Sequence, residues 1–178
     1  MTSKQVETTP PATTPPPVVD AAAVLADLKH TKFAAPTDED MQALAALRSG
    51  SDPWKARGES AAESLEALTK LRPFIHVGKV NTNLIGYVTI ERDGPVPGAA
   101  YLRNIVVKSE LRHKGVGVVL LEKGLSVARD MNRKTVALRV DPANSTAVSF
   151  YRKNGFTTVA TVVSKKSGKL RLLMSREL

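Results

Sequence analysis

Residues 105–125 read IVVKSELRHKGVGVVLLEKGL, and this stretch decides the fold. Three β-branched residues close a strand expected over 99–107, after the Gly94-Pro-Val-Pro-Gly98 turn. A helix is expected over 115–131, with Val118, Leu121, Leu125 and Ala128 as its buried stripe. Between them stand Arg112, His113, Lys114, Gly115, Val116 and Gly117. A strand that feeds a glycine turn into a helix leaves unpaired N–H groups at the positive end of the helix, which is an anion site. Gly115 and Gly117 lack a Cβ, so a phosphate can approach the main chain there. Arg112, His113 and Lys114 add positive or donor character. The pattern R-x-x-G-x-G alone also describes a tight turn without a ligand. Its spacing fits neither G-x-G-x-x-G nor a P-loop.

Downstream, 135–140 is a strand with Val136, Leu138 and Val140 on one face. The run LRVDPAN, 138–144, leads into a helix over 144–154 that Asn154-Gly155 stops. Residues 156–163 and 170–175 form a last hairpin. Upstream, 74–80 and 84–91 form another hairpin. Thr37 caps a helix carrying Met41, Leu44 and Leu47, and Ser60 with Glu63 makes a capping box before Leu65 and Leu68. Arg72-Pro73 closes that second helix. Residues 33–35 make a short strand, and 50–58 a loop with the only tryptophan, Trp54. This order gives an α/β fold, a mixed sheet with helices on its faces.

At 178 residues the chain fits a single domain, read as 33–178. Residues 20–32 are a short helix or linker with Val24 and Leu28 on one side. Residues 1–19, rich in Thr and Pro, lack the apolar side chains to offset ordering and read as a disordered tail. With no cysteine, disulfides, thiolate metal sites and a cysteine nucleophile are excluded. His30, His76 and His113 do not fall at metal-ligand spacing, so no metal site is expected. No apolar run approaches a membrane span, and no secretory order opens the chain, so a cytoplasmic protein is expected. The net charge of +9 is uneven: residues 1–101 carry 10 Lys/Arg against 12 Asp/Glu, and 102–178 carry 16 against 5. The second half therefore draws polyanions, whether nucleic acid or a phosphorylated cofactor.

With Arg112, Gly115 and Gly117 in one block and Asn144, Ala147, Phe150, Tyr151, Gly155 and Phe156 in a second, the chain from Phe33 onward resembles the GNAT superfamily of N-acetyltransferases. The resemblance implies a single-domain GNAT fold, with a mixed, mostly antiparallel sheet flanked by helices. It implies acetyl-CoA as co-substrate, with an amine as acceptor: a protein N-terminus, a lysine or a small molecule. Ile105, Val106 and Val107 would pair with the pantetheine arm, and an N–H of Val106 or Val107 would face the developing oxyanion. The amides of His113, Lys114, Gly115, Val116, Gly117 and Val118 would wrap the pyrophosphate. Asn144 would hold the pantetheine, and Tyr151 would be the catalytic acid at the sulfur. The spacing of Ala147, Phe150 and Tyr151 also suits a plain core stripe.

Where family members carry a catalytic glutamate, this chain has Tyr101 and Arg139. His76 and Glu91 are the remaining candidate bases, and a water chain can take the proton instead. The acceptor wall is expected at 50–60 and 165–169. Two alternatives follow: transfer to aminoacyl-tRNA, as in toxin members of the superfamily, and a CoA-binding module without turnover. A stable RNA complex is not favoured, no membrane partner is expected, and the protein is read as a monomer or homodimer.

Overall fold

A computed structural model describes residues 20–165 and 167–178. The segment 1–19, read above as a tail, lies outside the described residues. Local signals place the helices. Asp20 caps α1 (Ala21–Ala26), and a 3-10 turn at Leu28–His30 leads to β1 (Lys32–Ala34). The Thr37 hydroxyl accepts the Asp40 N–H and the Asp40 carboxylate accepts that of Thr37, both at 3.1 Å, so α2 spans Asp38–Ser49. Ser60 and Glu63 cap α3 (Ala61–Leu71) in the same reciprocal way. Proline does not stop the chain's turning at once, because Arg72–Phe74 continues as a 3-10 turn that places Pro73 where no N–H is needed.

The rest runs β2 (Ile75–Val80), β3 (Asn83–Glu91), β4 (Ala100–Val107), α4 (Val116–Asp130), β5 (Thr135–Val140), α5 (Ser145–Lys153), β6 (Thr157–Val163) and β7 (Leu170–Glu177). One seven-stranded sheet has the order β1-β2-β3-β4-β5-β7-β6. Every neighbouring pair is antiparallel except β4 and β5. The last hairpin thus lies reversed, with β7 against β5 and β6 at the edge.

Apolar residues fill both faces of the sheet's centre. On one, Leu120, Leu121 and Leu125 of α4 are wholly enclosed against Val88, Leu102 and Leu138, each contributing about 2 kcal/mol of burial. On the other, Met41, Leu44 and Leu68 of α2 and α3 cover Ile75, Tyr87 and Val106. β3 lies between the two layers, which is why LIGYVTI reads as a nearly unbroken apolar run rather than an alternation. Among the described residues no helix is long and apolar enough to cross a membrane.

Val118 departs from the expected stripe. It is 40 % exposed, while Leu120 is fully buried. Its helical phase is right, but the first turn of α4 overhangs a place where the sheet has opened, so no strand covers it.

That opening begins at a bulge. Thr89 faces Asn104 and Ile90 faces Leu102, leaving Arg103 as an extra residue in β4. β4 and β5 pair only at Ala100 with Val136 and at Tyr101 with Ala137. Past Tyr101 the bulged strand bends and the two strands diverge.

Candidate active site

The divergence makes a cleft of about 970 Å³. Its walls are the end of β4, the turn before α4, the start of α5 and the loop after α2. Of the residues expected to hold acetyl-CoA or act on it, all line the cleft except Lys114 and Val116. Val116 is fully buried, and the Lys114 ammonium donates to the Glu110 carbonyl at 3.0 Å.

The parity of β4 decides which of its amides face the cleft. Lys108 donates its N–H to the Ile85 carbonyl at 3.1 Å. Successive residues of a strand turn their peptide groups to opposite edges, so Val106 is spent on β3. A Cβ on Gly86 of β3 would stand 2.2 Å from the Val106 oxygen, which confirms that direction. Ile105 and Val107 therefore turn their N–H groups toward the cleft, and of Val106 and Val107 only Val107 presents its N–H there.

The turn supplies the next donors. His113 and Gly115 have φ of 60° and 86°, the left-handed region in which successive N–H groups converge. No side chain caps α4. Val118 is already bonded to the Gly115 oxygen at 3.0 Å, so the open amides run from His113 to Gly117 rather than to Val118. Gly117 has its own reason to lack a side chain: a Cβ would meet the Phe150 ring at 3.3 Å. Phosphate access is the lesser constraint there, because that Cβ would point at α5.

Arg112 does not reach outward. Its Nε donates to the Val107 oxygen at 3.2 Å and its Nη2 to Ser51 Oγ at 2.8 Å. Ser51 in turn donates to the Leu47 carbonyl at 2.7 Å. The guanidinium thus ties the turn to the loop that carries Asp52 and Trp54, two residues of the opposite wall.

A second clamp steadies the same loop. Arg48 of α2 donates to Glu59 at 2.6 Å and lies 4.4 Å over the Trp54 ring, and Ser64 of α3 donates to the same carboxylate at 2.7 Å. Burial pushes the Glu59 carboxyl up, but the bonds from Arg48 and Ser64 outweigh it and hold it below the usual range. Glu59→Ala is expected to cost about 3 kcal/mol at pH 7, since it leaves Arg48 largely enclosed without its partner. A depressed carboxylate contributes above its unfolded pKa and loses that contribution as pH falls through the folded one. The gap between wild type and variant in urea titrations should therefore narrow below about pH 4.

On α5, Asn144 caps the helix: its Oδ1 accepts the Ala147 N–H at 3.0 Å, leaving its amide nitrogen for the cleft. Tyr151 stands among Phe150 and Phe156, edge to face at 5.3 and 5.6 Å, and also on the cleft wall. Burial, with a smaller push from Tyr101, holds its phenol well above its ordinary value. Its ring therefore packs as part of the core while also bordering the cleft.

The candidate bases stand elsewhere. His76 faces α4, where burial and Lys123 pull its pKa down, and it does not line the cleft. Glu91 is paired with Arg103. The carboxylate that does line the cleft is Asp52, which sequence reading passed over as one residue of a loop. Of the two expected acceptor walls, only the first contributes: no described residue of 165–169 borders the cleft.

The N-terminus of α4 thus stands at the mouth of a splayed parallel pair. A sequence model described as the acetyltransferase (GNAT) family matches residues 40–156, spanning the strands, the turn and α5. The chain belongs to the GNAT family of acetyltransferases. Similar solved GNAT-fold structures include Ard1 from Thermoplasma volcanium, 22 % identical over 83 % of this chain and 97 % of that one, with a TM-score of 0.67. The ribosomal-protein-S18-alanine N-acetyltransferase from Escherichia coli is 17 % identical over 83 % and 93 %, with a TM-score of 0.63. The PaiA N-acetyltransferase from Thermoplasma acidophilum, in complex with coenzyme A, is 19 % identical over 83 % and 99 %, with a TM-score of 0.61. At these identities the likeness is one of fold. The GNAT sheet, mixed and mostly antiparallel, is the one expected from the order of elements.

Proposed function

We propose that the chain moves an acetyl group from acetyl-CoA to an amine by direct attack in a ternary complex. One observation carries this reading: outward amides of Ile105 and Val107 lead to the glycine turn, whose His113, Gly115 and Gly117 line the same cleft. An extended amide-bearing arm suits the first set, as an added strand suits a sheet edge. A pyrophosphate suits the second. Coenzyme A bound to the PaiA neighbour supports the same ligand here.

Chemically, the neutral amine forms a C–N bond at the thioester carbonyl while the C–S bond breaks. The Val107 N–H stabilises charge on the carbonyl oxygen. Tyr151 gives its hydroxyl proton to the departing sulfur and is reprotonated, through water, by the proton that the attacking nitrogen loses on becoming an amide. Asp52 attracts the incoming ammonium, and the proton it sheds passes through water to bulk. The acceptor is a protein N-terminus, a lysine or a small amine. The sparse supply of carboxylates at the cleft favours a second reading, a CoA-binding module without turnover.

Acetyl-CoA is expected to bind 1:1 and raise Tm, the stabilisation reaching about 2.7 kcal/mol at a hundredfold excess over Kd. Gly117→Trp, with its ring forced between α4 and α5, should lose this shift while retaining a folded circular-dichroism spectrum. Thiol release over a broad amine panel decides between the readings: a Tm shift with no release from any amine leaves the module, and no shift at all removes both.

A further inference from the structure

Strand β6 is one of the two edges of the sheet, opposite β1. Its sequence, TTVATVV, holds no charge, no proline and no glycine. Edges of this kind are ordinarily blunted by lysines, prolines or a covering element. Here six of the seven residues are exposed. Val159 and Val163 are 53 % and 62 % exposed, and Leu170 beside them 55 %. The main chain is open as well. Ser164 donates its N–H to the Lys169 carbonyl at 2.9 Å, so alternation commits Val162 to β7 and turns the peptide groups of Thr161 and Val163 outward.

The charges at the two ends of β6 are basic, and the nearby carboxylates Asp141 and Glu122 stand against Arg171 and Arg176. Residues 142–176 contain seven Lys/Arg and no Asp or Glu. Arg152 and Lys153 flank one end of β6, Lys165 and Lys169 the other, and all four are exposed. Arg171 and Arg176 are engaged by Asp141 and by the Asn154 carbonyl, both at 2.9 Å. A second copy pairing antiparallel about Ala160 would set these cations against their own kind, which opposes self-pairing. A nucleic acid would meet the cations but has no use for the alternating N–H and C=O row or the valine side chains. An extended peptide with Asp or Glu among β-prone residues uses all three features.

We propose that β6 accepts an acidic, extended peptide segment as an additional strand of the sheet. Lys153 also borders the cleft, but no residue of β6 does, and the proposal does not rest on the acetyl-transfer reading.

The probe is a labelled, capped peptide alternating glutamate and valine, beside the same peptide N-methylated at alternate residues, which keeps the charge and loses the donors. Saturable anisotropy is expected with the first only, together with hydrogen-exchange protection of the Thr161 and Val163 amides. Reversing the turn charges, Lys165→Glu with Lys169→Glu, should weaken binding about tenfold or more. Thr161→Pro should remove it by deleting one outward N–H. The charge variant and the N-methylated peptide keep the test open if Thr161→Pro fails to fold. Equal binding of the N-methylated peptide would reduce the effect to charge alone and overturn the proposal. So would an absence of binding, unprotected Thr161 and Val163 amides, or a dimer in light scattering whose β6 amides are protected before any peptide is added.

Discussion

Val107→Pro is expected to lower kcat by about a hundredfold or more, the usual cost of removing one oxyanion donor. Proline deletes a single N–H, and in β4 that N–H points away from β3, because the neighbouring Val106 carries the ladder. A proline tolerates an edge-facing position of a strand, where no pairing bond is lost. The Val107 carbonyl, held by Arg112 at 3.2 Å, is untouched. The fold should therefore persist, and Tm should change far less than the rate. Val106→Pro is the control: it strikes the β3 pairing and should fall in stability first. A Val107→Pro enzyme with near-normal kcat would place the oxyanion away from β4.

Tyr151→Phe is expected to reduce kcat at least about tenfold, at the lower edge of what a positioned acid is worth. The ring is retained, so its edge contacts with Phe150 and Phe156 survive and Tm should hold. The phenol is raised above its ordinary value by burial, which makes it a weaker full acid than free tyrosine and a durable hydrogen-bond donor. The neutral form is the useful one, and a raised pKa moves its loss to higher pH. The wild-type rate should then show no alkaline decline from this group up to pH 10, and the variant should be slower by the same factor across that range. A turnover within twofold of wild type would leave Tyr151 as core alone and water as the proton source.

Much of the frame was legible because its signals are local. Thr37 with Asp40 and Ser60 with Glu63 announce their helices within four residues, and the glycine turn before α4 is written in six. What stayed hidden depends on partners far along the chain. Arg112 looks like a cation for an anion until Ser51, 61 positions earlier, takes it up. The choice of Val107 over Val106 needs the pairing of Lys108 with Ile85. Val118 keeps the helical phase that the sequence gives it, yet the strand that would bury it has turned away. β6 shows an apolar pattern with no face to bury, because β7 inserts beside β5 and leaves it outermost. Asp52 carries no pattern of its own and gains meaning only when its loop folds over the cleft.

The open seam between β4 and β5 bears on how the protein tolerates mutation. From Ile105 to Gly117 the donors that the cleft presents are peptide groups, and substituting a side chain does not delete a peptide N–H unless the newcomer is proline. Gly115 for its left-handed backbone, Gly117 for its contact with Phe150, Arg112 for its anchor on Ser51 and Val116 for its burial restrict the residue type in that turn, but none of these limits touches the N–H groups themselves. The opposite wall is built of side chains: Asp52 and Trp54 can be exchanged one at a time. Selection can therefore redraw one wall repeatedly while the other is inherited almost unchanged, so that new acceptors are within reach of a few substitutions and a new donor is not.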